Sequence, residues 1–217
     1  MLEVPNDLGS LNHLKYFEFI VFGERYELPK SIAMLVNLET LDLRYTKFEN
    51  RNMSNEICKL RKLPYFLGYQ MCLIQLKDGI GGIKSLQTLN SVYLHEKEDE
   101  NDNRVVELIE ELGKLDQLRE LVLRGVRSKY MSAISSSISQ MQHLEKLKIS
   151  GFDTSGFELP PPPMLQRVKL FGYLNKFPEW ISKLQNLVKL DFSFSKERND
   201  ANEITPKYAI LVVSPNP

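Results

Sequence analysis

The residues that could carry chemistry are few and dispersed along the chain. Asp78-Gly79-Ile80-Gly81-Gly82-Ile83-Lys84-Ser85 has the glycines, lysine and serine of a loop that wraps phosphates in backbone N–H groups. That loop needs a glycine directly before the lysine and another five residues earlier. Those positions hold Ile83 and Asp78, so the stretch reads as a glycine-rich turn, not a nucleotide site. Glu107, Glu110 and Glu111 could serve as acid and base, but they fall on the polar side of an amphipathic helix, where carboxylates are solvated. His13, His95 and His143 stand in three separate stretches. Cys58 and Cys72 have no Cys or His companions at zinc spacing, and Cys58 has no nearby histidine to act as its base. The expectation is a protein that is not an enzyme, with no catalytic residue, metal, cofactor or small-molecule substrate.

Composition points to a packed chain. Among 217 residues there are 33 leucines and only 4 alanines, and Leu, Ile, Val and Phe together make 69. That is enough for a sizeable core. The 28 basic side chains equal the 28 acidic ones, so bulk charge does not direct the chain to nucleic acid or to an anionic membrane. No apolar run approaches membrane-spanning length, and the first residues lack a secretory signal pattern. Two cysteines make no disulfide scaffold. The default compartment is a reducing one, and a cytoplasmic location is expected.

The leucines recur in a fixed order, with apolar residues spaced 3, 3, 3 and 2. Ile32, Leu35, Leu38, Leu41, Leu43 show it, as do Leu112, Leu115, Leu118, Leu121, Leu123 and Ile181, Leu184, Leu187, Leu190, Phe192. Eight units fit, with penultimate positions at 17, 41, 66, 89, 121, 147, 168 and 190. The closing pair is a period-two strand, and the steps of three suit a 3₁₀ or helical turn. One unit cannot bury its leucines alone, so the units must stack. The predicted fold is an α/β leucine-rich-repeat solenoid, with a concave parallel sheet and an irregular helical convex side. The repeats occupy 1–195, and 196–217 form a divergent tail in which Ala209–Val213 reads either as one more strand or as a mobile tail.

Departures from the usual repeat carry their own expectations. Three residues beyond each last strand position, where such repeats place a buried asparagine, stand Phe22, Thr46, Met71, Leu94, Val126, Phe152, Tyr173 and Ser195. The backbone an asparagine would satisfy must find other partners, so the turns should be irregular. His95–Asn103 reads as an acidic solvated loop, followed by helical spacing at Val105, Leu108, Ile109, Leu112 and Leu115. Pro160–Pro163 replaces a helix with extended chain.

The strand positions that point away from the leucines form the candidate surface. In the fifth to eighth repeats they are Glu120, Val122, Arg124; Lys146, Lys148, Ser150; Arg167, Lys169, Phe171; Lys189, Asp191, Ser193. The first four repeats place Tyr16, Glu18, Ile20; Thr40, Asp42, Arg44; Tyr65, Leu67, Tyr69; Thr88, Asn90, Val92 there. One half is basic and the other aromatic, and aromatics and arginines are what interface cores favour. The expected contact residues are Tyr16, Arg44, Tyr65, Tyr69, Arg124, Lys146, Lys148, Arg167, Lys169, Phe171 and Lys189.

The series Leu28-Pro29-Lys30-Ser31-Ile32 with Leu38-Glu39-Thr40-Leu41-Asp42-Leu43 resembles the repeats of plant intracellular disease-resistance receptors, those with a coiled coil and a nucleotide-binding ATPase domain. Glu56–Leu63, Ser85–Leu89, Leu115–Leu121 and the run from Pro161 through Ile181 are similar to further segments of that family, and the likeness covers about residues 3 to 195. The resemblance implies a recognition module of innate immunity, binding a pathogen effector, a guarded host protein or a nucleotide-binding domain. The stretch given has no coiled coil and no nucleotide-binding motif, so the family's ATP/ADP switch does not carry over, and the expectation is a truncated receptor. The fold alone allows another reading, a scaffold, inhibitor or adaptor outside defence, or a fragment without function.

Overall fold

The computed structural model describes residues 6–20, 28–46, 55–68, 71, 73–94, 102–151, 162–172, 179–194 and 207–209. Eight strands follow in chain order: β1 (Tyr16–Glu18), β2 (Thr40–Leu43), β3 (Tyr65–Gly68), β4 (Thr88–Tyr93), β5 (Glu120–Val126), β6 (Lys146–Gly151), β7 (Arg167–Gly172) and β8 (Lys189–Phe194). Each is hydrogen-bonded in parallel to the next, with no crossover. Phe17, Leu41, Phe66, Leu89, Leu121, Leu147, Val168 and Leu190 stand directly opposite one another across the sheet. All but Phe17 are buried. Burying one such side chain contributes roughly 1.5–3 kcal/mol. The expected stack of leucines is therefore the spine of the molecule.

The returns between strands follow the residue spacing. Steps of three produce 3₁₀ turns at Asn6–Ser10, Lys30–Met34, Asn55–Lys59, Ile80–Gly82 and Glu179–Lys183, where three residues complete one turn. The longer fifth unit has room for α1 (Asp102–Gly113), whose Val105, Leu108, Ile109 and Leu112 are buried at the expected spacing. The sixth unit contains α2 (Met131–Gln140), a helix the serine-rich sequence did not announce. Its Met131, Ile134 and Ile138 still fall on one face, and α2 packs beside α1. A Cβ at Gly113 would meet Ser137 Cβ at 3.0 Å, so glycine there allows the close approach.

Backbone groups at the strand entries are satisfied by the neighbouring coil. The amides of Glu39 and Thr40 both donate to Lys15 O, at 2.8 and 2.9 Å. The same paired donation recurs from Gln87 and Thr88 to Pro64, from Arg119 and Glu120 to Gln87, from Glu145 and Lys146 to Arg119, from Gln166 and Arg167 to Glu145, and from Val188 and Lys189 to Gln166. Pro64 has no amide hydrogen, so in its repeat only Tyr65 donates, to Glu39 O.

At two of the described positions the missing asparagine is replaced by another arrangement. Thr46 is buried, and its hydroxyl donates to Phe19 O in the preceding coil. Met71 instead extends the sheet, donating its amide to Ser91 O while its own carbonyl accepts from Tyr93.

Two bulges shift the alternation. Leu89 faces Leu121, but Val92 rather than Ser91 faces Leu123. Ser91 takes up the extra residue with φ 65°, a left-handed backbone that is uncommon outside glycine. Val92 was expected to point outward; it is buried, and Tyr93 takes the outward place opposite Arg124. In β5 the extra residue is Gly125, with φ 67°, so Val126 rather than residue 125 faces Gly151.

Beyond β8 the direction reverses. Strand β9 (Lys207–Ala209) pairs antiparallel with Phe192–Phe194. The rest of the divergent tail, the acidic stretch 95–101, and Pro160 and Pro161 lie outside the described residues.

Candidate protein-binding surface

The register places the candidate residues in cross-strand rows. One row runs Tyr16, Thr40, Tyr65, Thr88, Glu120, Lys146, Arg167, Lys189. Another carries Val122, Lys148, Lys169, Asp191, and a third Arg124, Ser150, Phe171, Ser193. Strand alternation keeps these rows on the face opposite the leucines. Nine of the eleven expected contact residues fall in these rows; Arg44 lies just past β2, and Tyr69 lies outside the described residues.

In the aromatic half, Tyr16 is 51% exposed and Tyr65 42%. Between them Asp42 is only 1% exposed, a buried carboxylate on an otherwise open face. Its partners explain it. Arg44 donates from Nε to both carboxylate oxygens, at 3.0 and 3.1 Å, from Nη2 to Oδ2 at 2.7 Å and from its amide to Oδ1 at 3.1 Å. The Tyr16 hydroxyl donates to Oδ2 at 3.3 Å. Burial alone would raise the Asp42 carboxyl; the hydrogen bonds and charge of Arg44 outweigh it and hold the group below its ordinary value. The Tyr16 phenol is raised, by partial burial and by the charges of Asp42 and Glu18. Arg44 is thus fixed in direction while remaining half exposed, with its guanidinium 6.0 Å from the Tyr45 ring centre. Tyr45, itself exposed, was not among the expected contacts; it lies just past β2, where strand periodicity ends.

The basic half is partly neutralised from within. Lys146 pairs with Glu120 at 3.2 Å, and Lys169 and Lys189 share Asp191 at 2.6 and 3.8 Å. Exposed pairs of this kind contribute little to stability. Lys148 has no carboxylate partner among the described residues. Its ammonium stands 5.1 Å from the Phe171 ring centre. Burial, then the charges of Arg124 and Lys169, lower it from its ordinary value. Arg124 donates from Nε to Ser91 Oγ at 2.9 Å. Arg167 is exposed on β7 with no ion pair among the described residues.

The chemistry-like residues resolve as structure. Ile80, Gly81 and Ile83 are buried as a 3₁₀ turn and its end. Cys58 is buried beside Ile57, and burial pushes its thiol up to about 11. His143 has a role its sequence did not reveal: its Nδ1 lies 2.8 Å from Asp116 O, so the proton sits on Nδ1 and donates to that carbonyl. The side chains of Asn37, Ser85 and Asn186, at the same repeat position, donate to Asn12 O, Arg61 O and Pro163 O at 2.7–2.8 Å. A side-chain ladder thus exists, at a position other than the usual asparagine one. Among the described residues no group of His, Cys, Asp and Glu is placed to hold a metal ion, and no helix is long and apolar enough to cross a membrane.

An ordered stack of parallel strands with 3₁₀ returns and a spine of leucines defines a leucine-rich-repeat solenoid. Residues 4–204 match the family described as a leucine-rich repeat region, and the chain belongs to it. A probable disease resistance protein of Arabidopsis thaliana is 27% identical over 210 residues, covering 94% of this chain and 22% of the relative. A putative disease resistance protein of the same plant is 26% identical over 170 residues, covering 77% and 17%. The chain therefore spans about a fifth of the length of these curated relatives. Among solved structures, the Arabidopsis receptor kinase HAESA, in complex with a peptide hormone and a co-receptor, aligns with a TM-score of 0.54 at 14% identity, covering 88% of this chain and 30% of that one. That likeness shows the fold alone.

Proposed function

We propose that this chain is a protein-recognition module of plant innate immunity, acting in the cytoplasm and without catalysis. Its partner is a pathogen effector, a guarded host protein or a nucleotide-binding domain, engaged through the concave strands. The observation that carries the reading is Arg44, held by a buried Asp42 that also accepts from Tyr16, with Tyr45 beside its guanidinium and Tyr65 exposed on the next strand. A buried carboxylate is costly unless it is paired and hydrogen-bonded, and the group that Asp42 holds in this way is Arg44. Arginine and tyrosine held rigid at low entropic cost are the residue types that dominate protein interfaces. Membership of the repeat family and likeness to disease resistance proteins support the setting.

The test is a binding assay of the purified chain against candidate effectors and against nucleotide-binding domains of disease resistance proteins. Arg44→Ala and the double change Tyr16→Ala with Tyr65→Ala should each weaken a detected interaction by about tenfold or more. Interactions that survive both changes at full strength would reject the surface assignment.

A further inference from the structure

We propose that Arg124, Lys148 and Lys169, with Phe171 beside them, form a subsite for the carboxylates of an acidic, apolar-flanked segment of the protein partner. This rests on the recognition role above and names the partner chemistry for one end of the surface.

Position is the first argument. Lys148 and Lys169 are opposite one another on adjacent strands, and Arg124 lies on the strand to the other side of Lys148. Arg124 lies two residues beyond the row of Lys148 and Lys169; with strands about 4.8 Å apart and about 7 Å per two residues, the three cations span about 12 Å. Two carboxylates on alternate residues of an extended segment are about 7 Å apart and fall within that span. Charge is the second. Over β5 to β8 the outward positions carry Arg124, Lys146, Lys148, Arg167, Lys169 and Lys189 against Glu120 and Asp191. Both carboxylates are already engaged, by Lys146 and by Lys169 with Lys189. Lys148 lies between two like charges with no anion beside it among the described residues, and an incoming carboxylate would fill that gap. Surroundings are the third. The partly exposed Phe171 ring lies under the Lys148 ammonium, so apolar surface adjoins the charges. A polyanion read through its backbone alone would have no use for that surface. The balanced charge of the chain also argues against nucleic acid.

The probe is a seven-residue peptide of alternating Glu and Leu, titrated into the full chain by calorimetry. Its controls are the Gln-for-Glu peptide and an oligothymidylate. The Glu peptide should bind, the Gln peptide should bind about tenfold or more weaker, and Lys148→Glu should remove the difference. Lys148→Met keeps the stem against Phe171 and should show the same loss if the charge reversal disturbs folding, which circular dichroism reports. NMR titration of the Lys148 ammonium should move upward when the Glu peptide is bound, because a neighbouring anion favours the charged form. Equal binding of the two peptides, an unmoved Lys148 titration, or tighter binding of the oligothymidylate would each overturn the proposal. Failure here with Arg44 and tyrosine variants still weakening a protein interaction would leave the recognition role standing.

Discussion

Arg124 Nε donates to Ser91 Oγ at 2.9 Å, across the β4–β5 boundary and 33 residues of chain. The bond joins the two features that most disturb the repeat. Ser91 is the bulge residue with positive φ, and Arg124 precedes the second bulge at Gly125. The irregular backbone of β4 thus positions a cation of the concave face. Ser91→Gly should relieve the left-handed strain, while Ser91→Ala keeps the strain and loses the hydroxyl. The glycine variant should be the more stable by about 1 kcal/mol in urea unfolding. The reverse order would mean that the serine backbone is not strained.

Asp42 gives a pH prediction. Its folded carboxyl lies below the unfolded value of about 3.9, so its stabilising contribution is complete above about pH 5 and disappears as pH falls through the folded value. Asp42→Asn should therefore lower stability at pH 7 by about 1–2 kcal/mol, since Arg44 is half exposed and recovers water. The variant and the parent should converge as pH falls below the folded value. Parallel curves across the acid range would show that the pair adds no pH-dependent stability.

His143 tests the side-chain ladder. His143→Ala removes a hydrogen bond to Asp116 O and should cost about 0.5–1.5 kcal/mol. His143→Asn puts in place the residue that Asn37 and Asn186 already use at this position and should recover most of it. Thermal melts of the three proteins decide; equal loss in both variants would deny the role.

Gly151 meets Val126 where β6 adjoins the β5 bulge. A Cβ there would collide with Val126 O, a backbone atom rather than the end of a flexible side chain. Gly151→Ala should destabilise the fold by more than about 2 kcal/mol in denaturant unfolding. A neutral result would mean that the two strands separate easily at this point.

Cys58, with its thiol raised to about 11 by burial, should resist alkylation at pH 8 in a Cys72→Ser background. Labelling should accelerate steeply in denaturant. Rapid labelling of the native protein would show that the third coil opens.

Most of the architecture was legible because leucine spacing and solenoid geometry obey the same periods. Leu41, Leu121, Leu147 and Leu190 fall in one ladder, as their spacing requires. The outward rows followed wherever alternation held. They failed at Val92, because the positive φ of Ser91 is a backbone event that no side-chain pattern encodes. Helix α2 escaped notice because serines dilute the apolar face, and its stability comes from packing on α1 rather than from propensity. The Asp42–Arg44 clasp was hidden for another reason: an outward aspartate reads as solvated until the tyrosine of the preceding strand is seen to cover it.

The amides at the strand entries carry a consequence for how the molecule is made. Glu39 and Thr40 seek Lys15 O, and Glu145 and Lys146 seek Arg119 O; at this position the acceptor always belongs to the earlier coil. Synthesis runs in the same sense. Each winding that leaves the ribosome meets a docking edge completed moments before, so the arc can lengthen by accretion, one turn settling on the last, without waiting for its far end.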